Sequence, residues 1–171
     1  EITDGLANPG LLHIDSDLEI SLNGIRRWSS EDNKIGPLCA APIWKREHSS
    51  PGPCVLPRVV DGGGYQSRIL VFNSSNQASA GQLLWLDPAG TIIHDIHFDI
   101  EANGLWYWDS SGTSCIGRTG YAVVVNDNDN LQAKVLIRRQ DGETCLDETL
   151  ITEQYTDQAL VAVDNRRSTL R

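Results

Sequence analysis

Five consecutive oxygen-bearing side chains, Asn126-Asp127-Asn128-Asp129-Asn130, form the densest run of hard ligands in the chain. Calcium takes six to eight oxygens, and alternating Asp and Asn on a tight loop supply several. Asn126, Asp127, Asn128 and Asp129 are therefore candidate calcium ligands, although the run lacks the glycine and distal glutamate of an EF-hand loop. A plain hairpin built from turn-forming Asn and Asp has the same composition. Asp15-Ser16-Asp17 is a shorter run of the same kind. A second pattern sets Asp95, His97 and Asp99 at alternate positions of a strand-like segment. Such a row suits a transition metal, and equally the wet face of a sheet.

Leu105-Trp106-Tyr107-Trp108-Asp109 is the aromatic-rich segment. Exposed aromatics combine apolar area with a hydrogen-bonding edge, so Trp106, Tyr107 and Trp108 are candidates for stacking on a glycan or anchoring a protein. Alternation along a strand puts Trp106 and Trp108 on one face and Tyr107 on the other, which equally suits burial of the Trp pair. Asn73-Ser74-Ser75 satisfies the N-glycosylation pattern in an expected exposed turn, so Asn73 is the acceptor wherever the host glycosylates. No catalytic residues are expected. There is no G-x-S-x-G elbow, no phosphate loop, and Gly62-Gly63-Gly64 opens a strand rather than a helix.

Four cysteines, Cys39, Cys54, Cys115 and Cys145, are an even number without the close pairs of a zinc site. They read as two disulfides in an oxidising compartment, with nearest-neighbour pairing Cys39–Cys54 and Cys115–Cys145 preferred among three connectivities. The chain opens on Glu1 and has no Met, so it reads as processed or as a piece of something longer, with no secretory leader in view.

The elements that must carry these residues read as strands. Leu18, Ile20 and Leu22 alternate with polar neighbours, and Asn23-Gly24 turns the chain into Ile25–Trp28. From Ser29 to Pro57 five prolines forbid long regular elements, and Cys39 with Cys54 staple the irregular stretch. Beyond it, strands are expected near 55–60, 65–73, 80–87, 91–100, 104–108, 118–126, 131–139, 144–152 and 158–164. Strands at such spacing without a helical period specify an all-β antiparallel sandwich. His94, Ile96, Phe98 and Ile100 should face its core, and Asp95, His97 and Asp99 water. The domain division is 1–54, a strand, hairpin and stapled loop, and 55–171, the sandwich.

Net charge is −9 over 171 residues, and the basic pairs Arg26-Arg27, Arg138-Arg139 and Arg166-Arg167 are scattered. Nucleic acid is excluded as a partner, since phosphate neutralisation needs clustered cations. The pairs read as solvated strand ends. No apolar run approaches the ~20 residues of a membrane helix.

Asp61-Gly62-Gly63-Gly64-Tyr65, opening a strand that ends in Val71-Phe72-Asn73-Ser74-Ser75 and followed by Asp87-Pro88-Ala89-Gly90, resembles a repeat of large secreted bacterial surface proteins. Thr119–Val125 and Val135–Arg139 resemble its later strands, so the resemblance spans about 55–171. It implies an immunoglobulin-like sandwich and no established catalytic or binding residues. Such repeats continue past Asp164-Asn165 with another Thr-Gly strand, where this chain ends at Arg171.

The expected function is that of a non-enzymatic extracellular or cell-surface structural module. Its partner is protein, through self-association or a larger complex, with an open sheet edge completed by β-strand addition. The competing expectation is a carbohydrate-binding module that uses Trp106, Tyr107 and Trp108 beside a calcium-stabilised loop.

Overall fold

Strand follows strand where β-branched and aromatic residues alternate with polar ones, and the chain turns at Gly, Asn and Asp. In the computed structural model the described residues are 17, 25–29, 35–40, 42, 52–126, 130–141 and 144–152. They form ten strands: β1 (Ile25–Ser29), β2 (Ile35–Ala40), β3 (Cys54–Asp61), β4 (Tyr65–Asn73) and β5 (Ser79–Leu86), then β6 (Ile92–Ile100), β7 (Leu105–Asp109), β8 (Arg118–Asn126), β9 (Leu131–Asp141) and β10 (Thr144–Thr152). The strands expected between residues 55 and 152 are all present with ends shifted by a residue or two. Those expected at Leu18–Leu22 and 158–164 lie outside the described residues.

Two four-stranded antiparallel sheets, ordered β3-β8-β5-β6 and β10-β9-β4-β7, enclose the core, and β1 and β2 form a separate ribbon. β2 runs beside β10. Leu56, Val59, Ile69, Val71, Leu83, Trp85, Val124 and Val135 are at or near zero exposure between the two sheets. β2 corrects the reading of 29–57 as wholly irregular. Its Pro37 falls where the β1–β2 register shifts, between the Ser29–Ile35 and Arg27–Leu38 pairs, so the missing N–H interrupts no paired position.

The Asp61–Gly64 segment carries β3 of one sheet into β4 of the other. Gly62 has φ 81°, and a Cβ there would lie 2.6 Å from the Ile116 carbonyl oxygen, so only glycine fits. Asp61 Oδ1 accepts the Gly112 N–H at 2.6 Å, and Gly63 N–H donates to the Ser114 carbonyl at 2.8 Å. Ser67 Oγ donates to the Val60 carbonyl at 2.7 Å and accepts the Val60 N–H at 2.9 Å. The glycine motif is thus a sheet corner.

Arg138 corrects the reading of solvated basic pairs. Its side chain is 4% exposed and its Nε donates to Glu148 Oε2 at 2.9 Å, on the face of β9 away from the inter-sheet core. Leu70, Gln132 and Leu136 are buried on that same outer face. Sheet β10-β9-β4-β7 is therefore covered on both faces around β9.

The disulfide expectation is also corrected where it can be read. Cys54, Cys115 and Cys145 are thiols. The buried Cys54 Sγ donates to the Leu131 carbonyl at 3.3 Å, Cys145 Sγ lies 3.5 Å from the Asp147 carbonyl, and Cys115 sits on an exposed loop. With these three sulfurs as thiols, neither the Cys39–Cys54 nor the Cys115–Cys145 bridge is formed. Among the described residues no helix is long and apolar enough to cross a membrane.

Candidate interaction edge

β6 and β7 are the last strands of their two sheets, and both lie on the same side of the sandwich. Each pairs with one neighbour only, β6 with β5 and β7 with β4, so among the described residues its other side presents backbone donors and acceptors to no strand. Nine residues long, β6 is the longer of the two.

Aromatic rings close the gap between these edges. Trp106 and Trp108 pair with Val71 and Ile69 of β4, and so point into the sandwich, as alternation requires. Trp106 stacks on Phe98 with centroids 4.5 Å apart and planes at 26°. Trp108 lies 6.1 Å from Trp85 and 5.6 Å from His94, while His94 stacks on Trp85 at 5.2 Å. His94 is exposed overall, which corrects its placement in the core. The β5–β6 register shifts beside the Trp85–His94 pair, and Ile93 packs inward there.

Tyr107 faces the other way, onto the outer face, and is 39% exposed. The three aromatics therefore do not share one platform. Arg68 lies over the Tyr107 ring at 5.0 Å and donates through Nε and Nη2 to both Asp109 oxygens at 2.6 Å. The hydrogen bond and charge of Asp109 hold the Arg68 guanidinium above its ordinary pKa against the opposing effect of burial. With Asp109 ionised, that contribution is present below the ordinary guanidinium value and is lost as pH rises through the raised folded one.

Asn73 fixes the connection between the two edges. It is fully buried, and its Nδ2 donates to the carbonyls of Gln77 at 2.8 Å and Glu101 at 3.1 Å. Its backbone N–H donates to the Gly104 carbonyl at 3.0 Å, so one residue holds both ends of the 101–104 turn. The expected exposed glycosylation acceptor is thus a buried strut whose amide nitrogen already donates to carbonyls. Sequence reasoning missed this because an Asn-Ser-Ser run has turn composition whether its first side chain points out or in.

On the outward face of β6, Asp95 Oδ1 accepts from Gln82 Nε2 at 2.6 Å, and His97 Nε2 lies 3.8 Å from the same oxygen. Asp99 is exposed beside them. Among the described residues, no group of three or more His, Cys, Asp or Glu is placed to hold a metal. Of the calcium candidates, Asn126 ends β8 opposite Gly81, whereas Asp127, Asn128 and Asp129 lie outside the described residues. The Asn130 carbonyl that closes their loop accepts from Ser74 N and Oγ, each at 3.0 Å.

No family model and no curated protein matches the chain. Among solved structures, a crystal structure of Thermotoga maritima 1070 is similar over 63% of this chain and 97% of that one, at 5% identity with a TM-score of 0.49.

Proposed function

We propose that the chain is a non-enzymatic structural module of an extracellular or cell-surface assembly, joined to its neighbour by β-strand addition. The observation that supports it most is the pair of edge strands, β6 and β7, on one side of the sandwich. Edge strands are normally blunted by prolines, shortness or a covering element. β6 is long and proline-free, and Ile92 at its start is 53% exposed. The rings beneath it are fixed by stacking, so an incoming strand meets a rigid edge and little has to be ordered on docking.

The resemblance to secreted repeats supports the compartment and the immunoglobulin-like assignment. Sedimentation velocity from micromolar to millimolar chain tests the assembly. A sedimentation coefficient that rises with concentration is expected, and one that stays at the monomer value contradicts it.

The carbohydrate reading keeps one support, the exposed Tyr107 ring beside Arg68 and Asp109. It requires glycan binding that is lost on Tyr107→Ala.

A further inference from the structure

Resting on that reading of the β6 edge, we propose that its partner is the β6 of a second copy, paired antiparallel about a two-fold axis through Ile96. The support is the order of carboxylates and imidazoles along the strand. β6 reads Ile92-Ile93-His94-Asp95-Ile96-His97-Phe98-Asp99-Ile100, and two of the four histidines of this acidic chain fall within it. A two-fold axis perpendicular to the sheet keeps core-facing residues with core-facing residues, which allows only registers centred on a residue.

Centred on Ile96, Asp95 of each copy stands opposite His97 of the other, both on the outward face. His94 then meets Phe98, and Ile96 meets itself. The regular stretch His94–Phe98 is paired throughout, short of the register shift at Ile92–Ile93, and no like charges oppose. Centring on Asp95 sets two aspartates face to face. Centring on His97 does the same to His97 and opposes Asp95 with Asp99. Centring on Phe98 brings Asp95 against Glu101. Like charges directly opposite destabilise a strand pair, whereas an imidazole opposite a carboxylate supports it as a hydrogen-bond donor, so the Ile96 register is selected.

Asp95 and His97 are prepared for this. Within one chain they already lie 3.8 Å apart, with Gln82 bonded to Asp95, so the two-fold joins two such clusters into one. An isologous contact of this kind closes on itself. β6 pairing alone therefore yields a dimer, and any longer assembly needs another surface.

Sedimentation equilibrium of the full chain tests the register through a charge swap. His97→Asp sets carboxylates opposite each other twice and should raise the dimer dissociation constant by roughly tenfold or more. Asp95→His/His97→Asp restores two carboxylate–imidazole pairs and should return the constant near the wild-type value. All these side chains are solvent-exposed, and far-UV circular dichroism confirms that each variant is folded. A wild type that dimerises with the same constant in His97→Asp overturns the register while leaving strand addition standing. Failure of the double variant to recover also overturns the register. A wild type that is monomeric at millimolar concentration overturns both.

Discussion

The ring of Trp106 on β7 lies on that of Phe98 on β6, 4.5 Å between centroids, so the open edges of the two sheets are bolted together by one stacked pair. Gly81 of β5 makes room for it. A Cβ there would stand 2.4 Å from Phe98 Cζ and 3.0 Å from the Val125 carbonyl oxygen. Gly81→Ala should therefore push the buried Phe98 ring off Trp106, at a cost of about 1–3 kcal/mol by the usual range for overpacking. Urea denaturation followed by Trp fluorescence measures it, and an unchanged midpoint would show that the ring yields freely.

Trp106→Ala removes the other half of the stack. Trp106 is only half-buried, so the loss should fall toward the low end of the ~3–5 kcal/mol typical of core Trp truncation. The double variant with Phe98→Leu should lose less than the sum of the two single changes, because contacting residues are non-additive. Additive losses would mean that the rings do not couple.

The sheet corner gives a third prediction. Asp61→Ala strips the Gly112 N–H of its acceptor in a part-buried site and should cost about 1–3 kcal/mol. Gly62→Ala at φ 81° should cost more than Asp61→Ala, since it adds a backbone clash to the strain. Thermal melts of the two variants rank them, and the reverse order would refute this account of the glycine motif.

The Arg138–Glu148 pair gives a fourth. Glu148→Ala leaves a buried guanidinium without its carboxylate and should cost about 3–5 kcal/mol, while Arg138→Met/Glu148→Leu should be far milder. A denaturant series on the single and double variants reads this. Equal losses would place the importance in packing rather than in charge.

The strands were legible because their faces were. Ile69 and Val71 inward against Leu70 outward, and Trp106 and Trp108 inward against Tyr107 outward, follow from period two alone. The order β3-β8-β5-β6 was not legible, because alternation assigns a residue to a face and says nothing of its neighbour strand. β2 was hidden by Pro37, which the chain accommodates at a register shift. Asn73 and Arg138 were misjudged for a shared reason. Composition prices a polar side chain as exposed, and burial becomes affordable only when a distant partner, Glu101 or Glu148, meets it. The open β6–β7 side was invisible until the pairing was known.

The most direct measurement is amide hydrogen exchange of the full chain, dilute and concentrated, resolved along the strands. Assembly through the β6 edge predicts that outward-facing β6 amides slow markedly at high concentration while those of β8 and β9, already paired on both sides, do not change. Concentration-dependent protection appearing instead at β3 or β10, with β6 unaltered, would contradict it.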